Sequence, residues 1–363
     1  MFVKNIIIGA GLAGCTLARL FADAGEDVLI IDKRNHIAGN TYDYFVENEI
    51  LVQKYGPHLF HTENEEVWQF LSRFTEWNNY EHRVLVSVDG KKVPMPINLD
   101  TVNLLYGTNY NSEELQKFFD DKKVKLPEIK NSEDVIISQV GQDLYEKLFK
   151  NYTKKQWGVY PHELSPEVTS RIPVRTNNDS RYFTDKYQGM PKQGFTAMCE
   201  KMLDHPKIKT LLNADYKEIK HYISFDKLIF TGCIDEFFDY KFGKLPYRCL
   251  EFEFETVEKE FYQEAAVVNY PNDFEFTRIT EFKHWTYQKR QNTVIVKEYS
   301  KADGDPYYPV PQKENFDLYE KYAKEAEQIK NIYFAGRLGK YKYFNMDKVV
   351  DDSMKLFTNF FVT

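Results

Sequence analysis

The chain has 363 residues, 42% hydrophobic and 28% charged, which excludes collagen-like, coiled-coil and intrinsically disordered chains. At roughly 150 residues per domain, the length suits about two to three domains. With 48 basic against 55 acidic residues the net charge is −7, so general nucleic-acid binding is not expected, although a local arginine cluster could still hold a small anion.

The four cysteines, Cys15, Cys199, Cys233 and Cys249, are scattered and form no C-x-x-C pair. That spacing argues against a disulfide framework and against a zinc site, and it fits a reducing, cytoplasmic setting. No apolar run approaches the roughly 20 residues that cross a bilayer, so membrane insertion is not expected. Aromatic residues make up 16% of the chain, a supply suited to stacking on flat ligands, although most of them must build core.

In chain order, residues 3–8 form a β-branched run typical of a buried parallel strand. Arg19 and Asp23 interrupt the apolar character that follows, so this is read as a strand and not as a targeting segment. The turn Gly9-Ala10-Gly11-Leu12-Ala13-Gly14 comes next, then a helix over 15–24 stopped by Gly25, then a strand over 28–31 ending in Asp32. This is G-x-G-x-x-G in full context. Gly9 allows the tight turn, Gly11 admits a pyrophosphate close to the backbone, and Gly14 lets the helix lie near the strand. The helix start offers free N–H groups to phosphate, and Asp32 is placed to accept from a ribose hydroxyl, which fits NAD or FAD better than NADP.

Helices are expected over 65–73, 113–119, 133–140 and 142–150. A hairpin is expected over 83–93 with the two-residue turn Asp89-Gly90, ended by Pro94-Met95-Pro96. Residues 165–190 read as irregular, and runs over 249–254, 265–270, 274–280 and 293–299 read as an antiparallel sheet. Further Rossmann-type strands are expected over 208–212 and 227–231 and entering Gly336, so the dinucleotide domain is assembled from separated segments. His58 and His61 are three apart and would share a face if helical, but with no obvious carboxylate or Cys partner no metal site is expected.

The motifs Gly9–Gly14 with Asp32-Lys33-Arg34, Tyr55-Gly56-Pro57-His58-Leu59-Phe60-His61-Thr62, Tyr152-Thr153-Lys154-Lys155-Gln156-Trp157-Gly158, Arg171-Ile172-Pro173-Val174-Arg175 and Phe334-Ala335-Gly336-Arg337-Leu338-Gly339 occur in that order. Together the chain resembles a prokaryotic, FAD-dependent UDP-galactopyranose mutase from residue 1 to about 355. The resemblance implies an α/β fold: a Rossmann-type FAD-binding domain over 1–78, 192–243 and 316–363, an inserted mainly helical domain over 79–148, and an antiparallel β-sheet substrate domain over 149–191 and 244–315. A mobile loop is expected near 177–189, carrying Arg181 and Tyr182 towards the sugar.

The implied activity interconverts UDP-galactopyranose (UDP-galactose) and UDP-galactofuranose through a covalent flavin N5–sugar adduct. It requires reduced FAD, with NAD(P)H as an external reductant lacking a dedicated site, and a homodimer is implied. The resemblance gives Arg171 and Arg278 the pyrophosphate. It gives Phe149, Tyr152, Thr153, Trp157, Tyr182, Tyr308 and Tyr343 the rest of the substrate. His58 is expected beside the flavin as a catalytic-site partner, not as the general base.

FAD contacts are implied at Gly9, Gly11, Leu12, Gly14, Asp32, Lys33, Arg34, Gly39, Asn40, His58, Leu59, Gly336, Arg337, Asn345 and Met346. A helix starting near Met346 is expected to aim its positive end at the flavin. Ala38 stands where the family often has Gly, and Ala fits there if the backbone keeps a negative φ. His58 favours plain galactose over an N-acetylated sugar. The alternatives are a UDP-N-acetylgalactopyranose mutase and a flavin amine or porphyrinogen oxidase.

Overall fold

The computed structural model describes residues 2–46 and 49–360. Met1 and residues 361–363, which the expected FAD-binding segments include, lie outside them.

A five-stranded parallel sheet is built from Ile332–Phe334, Ser224–Phe230, Phe2–Ile8, Val28–Ile31 and Ile208–Leu211, in that spatial order. Its central strands read as continuous apolar runs because both faces are covered: Ile6, Ile7, Ile30 and Ile31 have no solvent exposure. The helix Leu12–Asp23 leaves the first strand through the glycine turn, and starts three residues before the expected one. Gly14 lies so close to the turn that a Cβ there would fall 1.9 Å from the Gly9 carbonyl oxygen.

A seven-stranded sheet carries Pro306–Pro309, Tyr247–Val257, Thr293–Lys301, Arg278–Glu281, Val267–Asn269, Val84–Val88 and Lys91–Met95 in order. All neighbours run antiparallel except Val267–Asn269 against Val84–Val88, which is parallel. The expected hairpin forms with Asp89 and Gly90 both at positive φ, the primed turn whose twist matches its strands. Its second strand runs on to Met95, past the expected stop at Pro94, because edge strands tolerate proline. The hairpin closes the seven-stranded sheet, so that sheet draws on residues the sequence reading groups with the helical segment.

The helix expected over 142–150 does not stop there. Gln142–Tyr145 passes into a π-helical stretch, Glu146–Lys150, and on into Asn151–Trp157. Gly158, at φ +80°, ends it by donating its N–H to the Lys154 carbonyl. Residues 165–190 are mostly irregular as expected, but include a short helix, Glu167–Ser170, and a strand, Tyr187–Gly189, paired with Phe60–Thr62. No helix among the described residues is long and apolar enough to cross a membrane.

Candidate active site

Two cavities, about 250 and 510 Å³, meet at His58, Arg337 and Met346, which line both.

The smaller one lies over the glycine turn. Gly9, Gly11 and Leu12 line it, with Asp32, Lys33 and Arg34 at the end of the second strand. Gly39, Asn40 and Gly336 complete the wall, while Gly14 sits inside the helix and serves packing. The Leu12–Asp23 helix has no side-chain N-cap and no acid in its first turn, so its leading N–H groups are left for an anion. A Cβ on Gly39 would come within 2.7 Å of the Gly11 Cα, so this part of the wall is bare main chain.

Asp32 does more than wait for a ribose. Its carboxylate accepts from the backbone N–H of Ala10 at 2.7 Å and of Arg34 at 2.8 Å, fastening the glycine turn to the second strand. The Arg34 guanidinium lies 4.5 Å from the Tyr55 ring centroid and donates to Asn40 Oδ1 at 2.9 Å. A bare backbone cradle, an uncapped helix start and an acid at the strand end fit the pyrophosphate and ribose of a dinucleotide.

Ala38 does not meet the condition of a negative φ. It adopts φ +67°, left-handed, so that its carbonyl can accept both the N–H and the hydroxyl of Thr41, at 3.0 and 2.7 Å. The strain of an L-residue there is about 1–2 kcal/mol.

The larger cavity is a chamber. Phe149, Tyr152, Thr153 and Trp157 line it from the long helix, at a spacing that keeps the first three on one face. Tyr182, Tyr308 and Tyr343 line it, as do Leu59 and Asn345. Arg171 and Arg278, from separate segments, line the same chamber.

Arg278 faces Glu298 across the strand pair, and its Nε and Nη2 donate to that carboxylate at 2.8–3.0 Å. Glu298 is 1% exposed, and Nη1 of Arg278 makes no hydrogen bond among the described residues. Arg171 lies 4.7 Å from the Tyr343 ring centroid, and Tyr343 packs on Trp157 at 5.5 Å and on Tyr308 at 5.4 Å. The Arg337 guanidinium sits 5.2 Å from Tyr308 and donates to the carbonyls of Phe344 and Tyr307. Burial opposes ionisation of Tyr343, but the guanidiniums of Arg171, Arg337 and Arg278 outweigh it and hold its phenol below the usual range.

His58 is clamped through its backbone by the Gln53 amide, at 2.6 and 2.9 Å. Its Nδ1–H donates to the Gly56 carbonyl at 2.9 Å, which leaves Nε2 as the lone-pair atom. Burial, then the nearby Arg337 and Arg278 charges, push its pKa down to about 4, so the ring is neutral at pH 7.

His58 and His61 do not share a helical face: His58 lies in a loop and His61 in the strand Phe60–Thr62. His61 also has a carboxylate partner that sequence proximity could not reveal. Its Nδ1 lies 3.1 Å from Asp185, with its ring stacked on Phe183 at 3.6 Å. Among the described residues no three His, Cys, Asp or Glu side chains cluster as a metal site.

Arg181 is not presented to the chamber. It forms a two-point pair with Asp179 at 2.9–3.0 Å, while Tyr182 lines the cavity wall. Segment 177–189 is tied at Leu99, Asn98, Arg175 and His82 and through its strand, so any motion there must first break these bonds.

The helix Met346–Asn359 starts where expected, with no side-chain cap from Asn345. Its Asp347 accepts from the Thr62 hydroxyl at 3.2 Å. Sequence reading missed His82, Gln156, Asn269 and Glu298. Gln156 lies inside a quoted motif, whereas Glu298 reaches Arg278 only through strand register.

Fold and cavities together define a Rossmann-type dinucleotide-binding protein whose cleft opens into an arginine- and tyrosine-lined chamber. A family model of an NAD(P)-binding Rossmann-like domain matches residues 7–74, and one of UDP-galactopyranose mutase matches 147–343. A probable UDP-galactopyranose mutase of Klebsiella pneumoniae is 40% identical over 362 residues, 97% of this chain and 93% of that protein. A dTDP-fucopyranose mutase of Escherichia coli is 37% identical over 97% of each chain. The crystal structure of a reduced UDP-galactopyranose mutase shares the fold with a TM-score of 0.80, at 18% identity, over 99% of this chain and 94% of that one. The chain belongs to the UDP-galactopyranose mutase family, a family of isomerases.

Proposed function

We propose that the protein interconverts UDP-galactopyranose and UDP-galactofuranose with reduced FAD held in the smaller cavity. The observation that carries this reading is the convergence of Arg171 and Arg278 on one chamber that joins the dinucleotide cleft at His58, Arg337 and Met346. Bound there, reduced FAD supplies the nucleophile for the sugar's anomeric carbon, and every other task falls to the chain.

Loss of UDP from the sugar builds negative charge on a diphosphate. Fixed guanidiniums meet that charge without reorganising, and removing one such donor costs roughly 3 kcal/mol of barrier. Glu298 fixes the plane of the Arg278 fork and leaves Nη1 for phosphate. The phenols of Tyr308 and Tyr343 add hydrogen-bond donors with no added cation. Neutral His58 leaves the charge balance to the arginines, and its Nε2 is available to a hydroxyl of the sugar or the cofactor. Aromatic walls from Phe149, Tyr152 and Trp157 suit a base and ribose and exclude water from the reacting carbon.

An amine or porphyrinogen oxidase of similar fold needs an apolar substrate cavity, and the four arginines lining this chamber, Arg171, Arg175, Arg278 and Arg337, disfavour that reading. The test is direct: incubate dithionite-reduced, FAD-loaded protein with UDP-galactofuranose and separate the products by HPLC. Conversion to the pyranose by reduced protein, and none by oxidised protein, is expected. No conversion in either state, or peroxide release during aerobic turnover, sinks the proposal.

A further inference from the structure

His58 lines both cavities, so its ring stands at their junction. A ring there serves the chemistry only if its orientation is fixed, and the local chain does not fix it. Residues 57–59 belong to no helix or strand, and Pro57 has no N–H to give. Among the described residues the His58 N–H and C=O bond to no other main-chain group. Both go instead to one side chain: Gln53 Oε1 accepts from the N–H at 2.6 Å, and Gln53 Nε2 donates to the carbonyl at 2.9 Å. A side-chain amide carries the donor and acceptor of a peptide group, so Gln53 pairs with His58 as a neighbouring strand would.

This clamp is mounted on rigid parts. Gln53 is 2% exposed and ends the strand Ile50–Gln53, where it pairs with Asp43 of the strand Asp43–Val46. Asp43 accepts from the N–H groups of Phe195 and Thr196, at 2.6 and 2.9 Å, and so fastens both strands to the start of the helix Gly194–Leu203. The other end of the turn is seated too. Gly56, at φ +84°, lies so close to the Arg278–Glu298 pair that a Cβ on it would fall 3.2 Å from Glu298 Oε2 and 2.9 Å from the Phe252 ring. The Gly56 carbonyl takes the His58 Nδ1–H, and Nε2 is the ring atom left without a partner among the described residues.

We propose that Gln53 is a positioning residue for the isomerisation: by pairing with the His58 backbone it aims the His58 ring at the junction of cofactor cleft and chamber. This inference rests on the function proposed above. Gln53 itself lines neither cavity, so its effect passes through His58.

The test compares FAD-loaded wild-type protein, Gln53→Met, His58→Ala and the double variant. Methionine keeps the length of glutamine and removes both hydrogen-bonding atoms. Visible circular dichroism of the bound flavin and thermal melts are recorded, with kcat and KM of reduced protein for UDP-galactofuranose. With His58 present, Gln53→Met should change the flavin dichroism and lower kcat about tenfold or more, with KM within about threefold. In the His58→Ala background the same substitution should leave the dichroism unchanged and alter kcat less than about twofold. Equal effects in the two backgrounds overturn the proposal, as does a lower melting temperature with kcat and dichroism unchanged. The dichroism needs no turnover: a wild type without isomerase activity sinks the functional reading, and the spectra still decide whether Gln53 acts through His58. Gln53→Asn, one carbon too short to reach, replaces the methionine variant if that one loses its flavin.

Discussion

Replacing Arg278 by alanine separates two roles of one side chain. The guanidinium both faces the chamber and neutralises Glu298, which is 1% exposed and takes Nε and Nη2 at 2.8–3.0 Å. Arg278→Ala therefore strands a buried carboxylate. Breaking such a pair from one side costs about 3–5 kcal/mol. With an unfolding entropy of about 2 cal/mol/K per residue, a loss near 4 kcal/mol lowers the melting temperature of a chain this long by about 5 °C.

The double variant Arg278→Ala/Glu298→Gln removes the stranded charge and should recover most of that loss. Activity should behave differently, because both variants lack the proposed phosphate donor and both should fall about 10²–10³-fold in kcat. Thermal melts of FAD-loaded proteins, paired with the HPLC isomerisation assay, read the two effects separately. If the single variant melts with the wild type, or the double variant melts no higher than the single, Glu298 is not held by Arg278 in the way described.

Asp32→Ala removes the acceptor for the Ala10 and Arg34 N–H groups, so the purified variant should be pale and should bind added FAD at least tenfold more weakly, by absorbance titration. Arg171→Lys keeps the charge but loses the fork, and should lower kcat about tenfold or more with little change in melting temperature. Stability should fall as pH drops from about 6.5, because unfolded histidines then bind protons that His58 and His82 refuse until about 4 and about 3, owing first to burial and then to neighbouring cations. His82→Gln should flatten that fall in melts taken between pH 7 and 4.5, and an unchanged slope would show that His82 plays no part in it.

The parallel sheet was readable from residues because its strands are buried on both faces and its first turn needs glycine for steric reasons. The extent of the long helix was not. Its last turns carry Tyr152, Thr153 and Trp157, aromatic and β-branched residues of modest helix propensity, and Arg248 of another strand packs where a Cβ on the terminating Gly158 would lie. The left-handed conformation of Ala38 was not legible, because it goes with the Thr41 hydrogen bonds to its carbonyl and not with alanine's own preference. The chamber combined legible and illegible parts. Arg171 and the helix aromatics sit in distinctive motifs, whereas Glu298 beside Arg278, and Asp185 beside His61, exist only through strand pairing and packing. His82 carries no local signal at all.

The central claim is that one diphosphate lies between Arg171 and Arg278 next to the cofactor cleft. A crystal structure of the FAD-loaded protein with UDP tests it most directly. The diphosphate is expected within hydrogen-bond distance of both guanidiniums, the pyrimidine against Phe149 and Tyr152, and the flavin ring beside His58. A diphosphate bound elsewhere, or touching neither arginine, contradicts it.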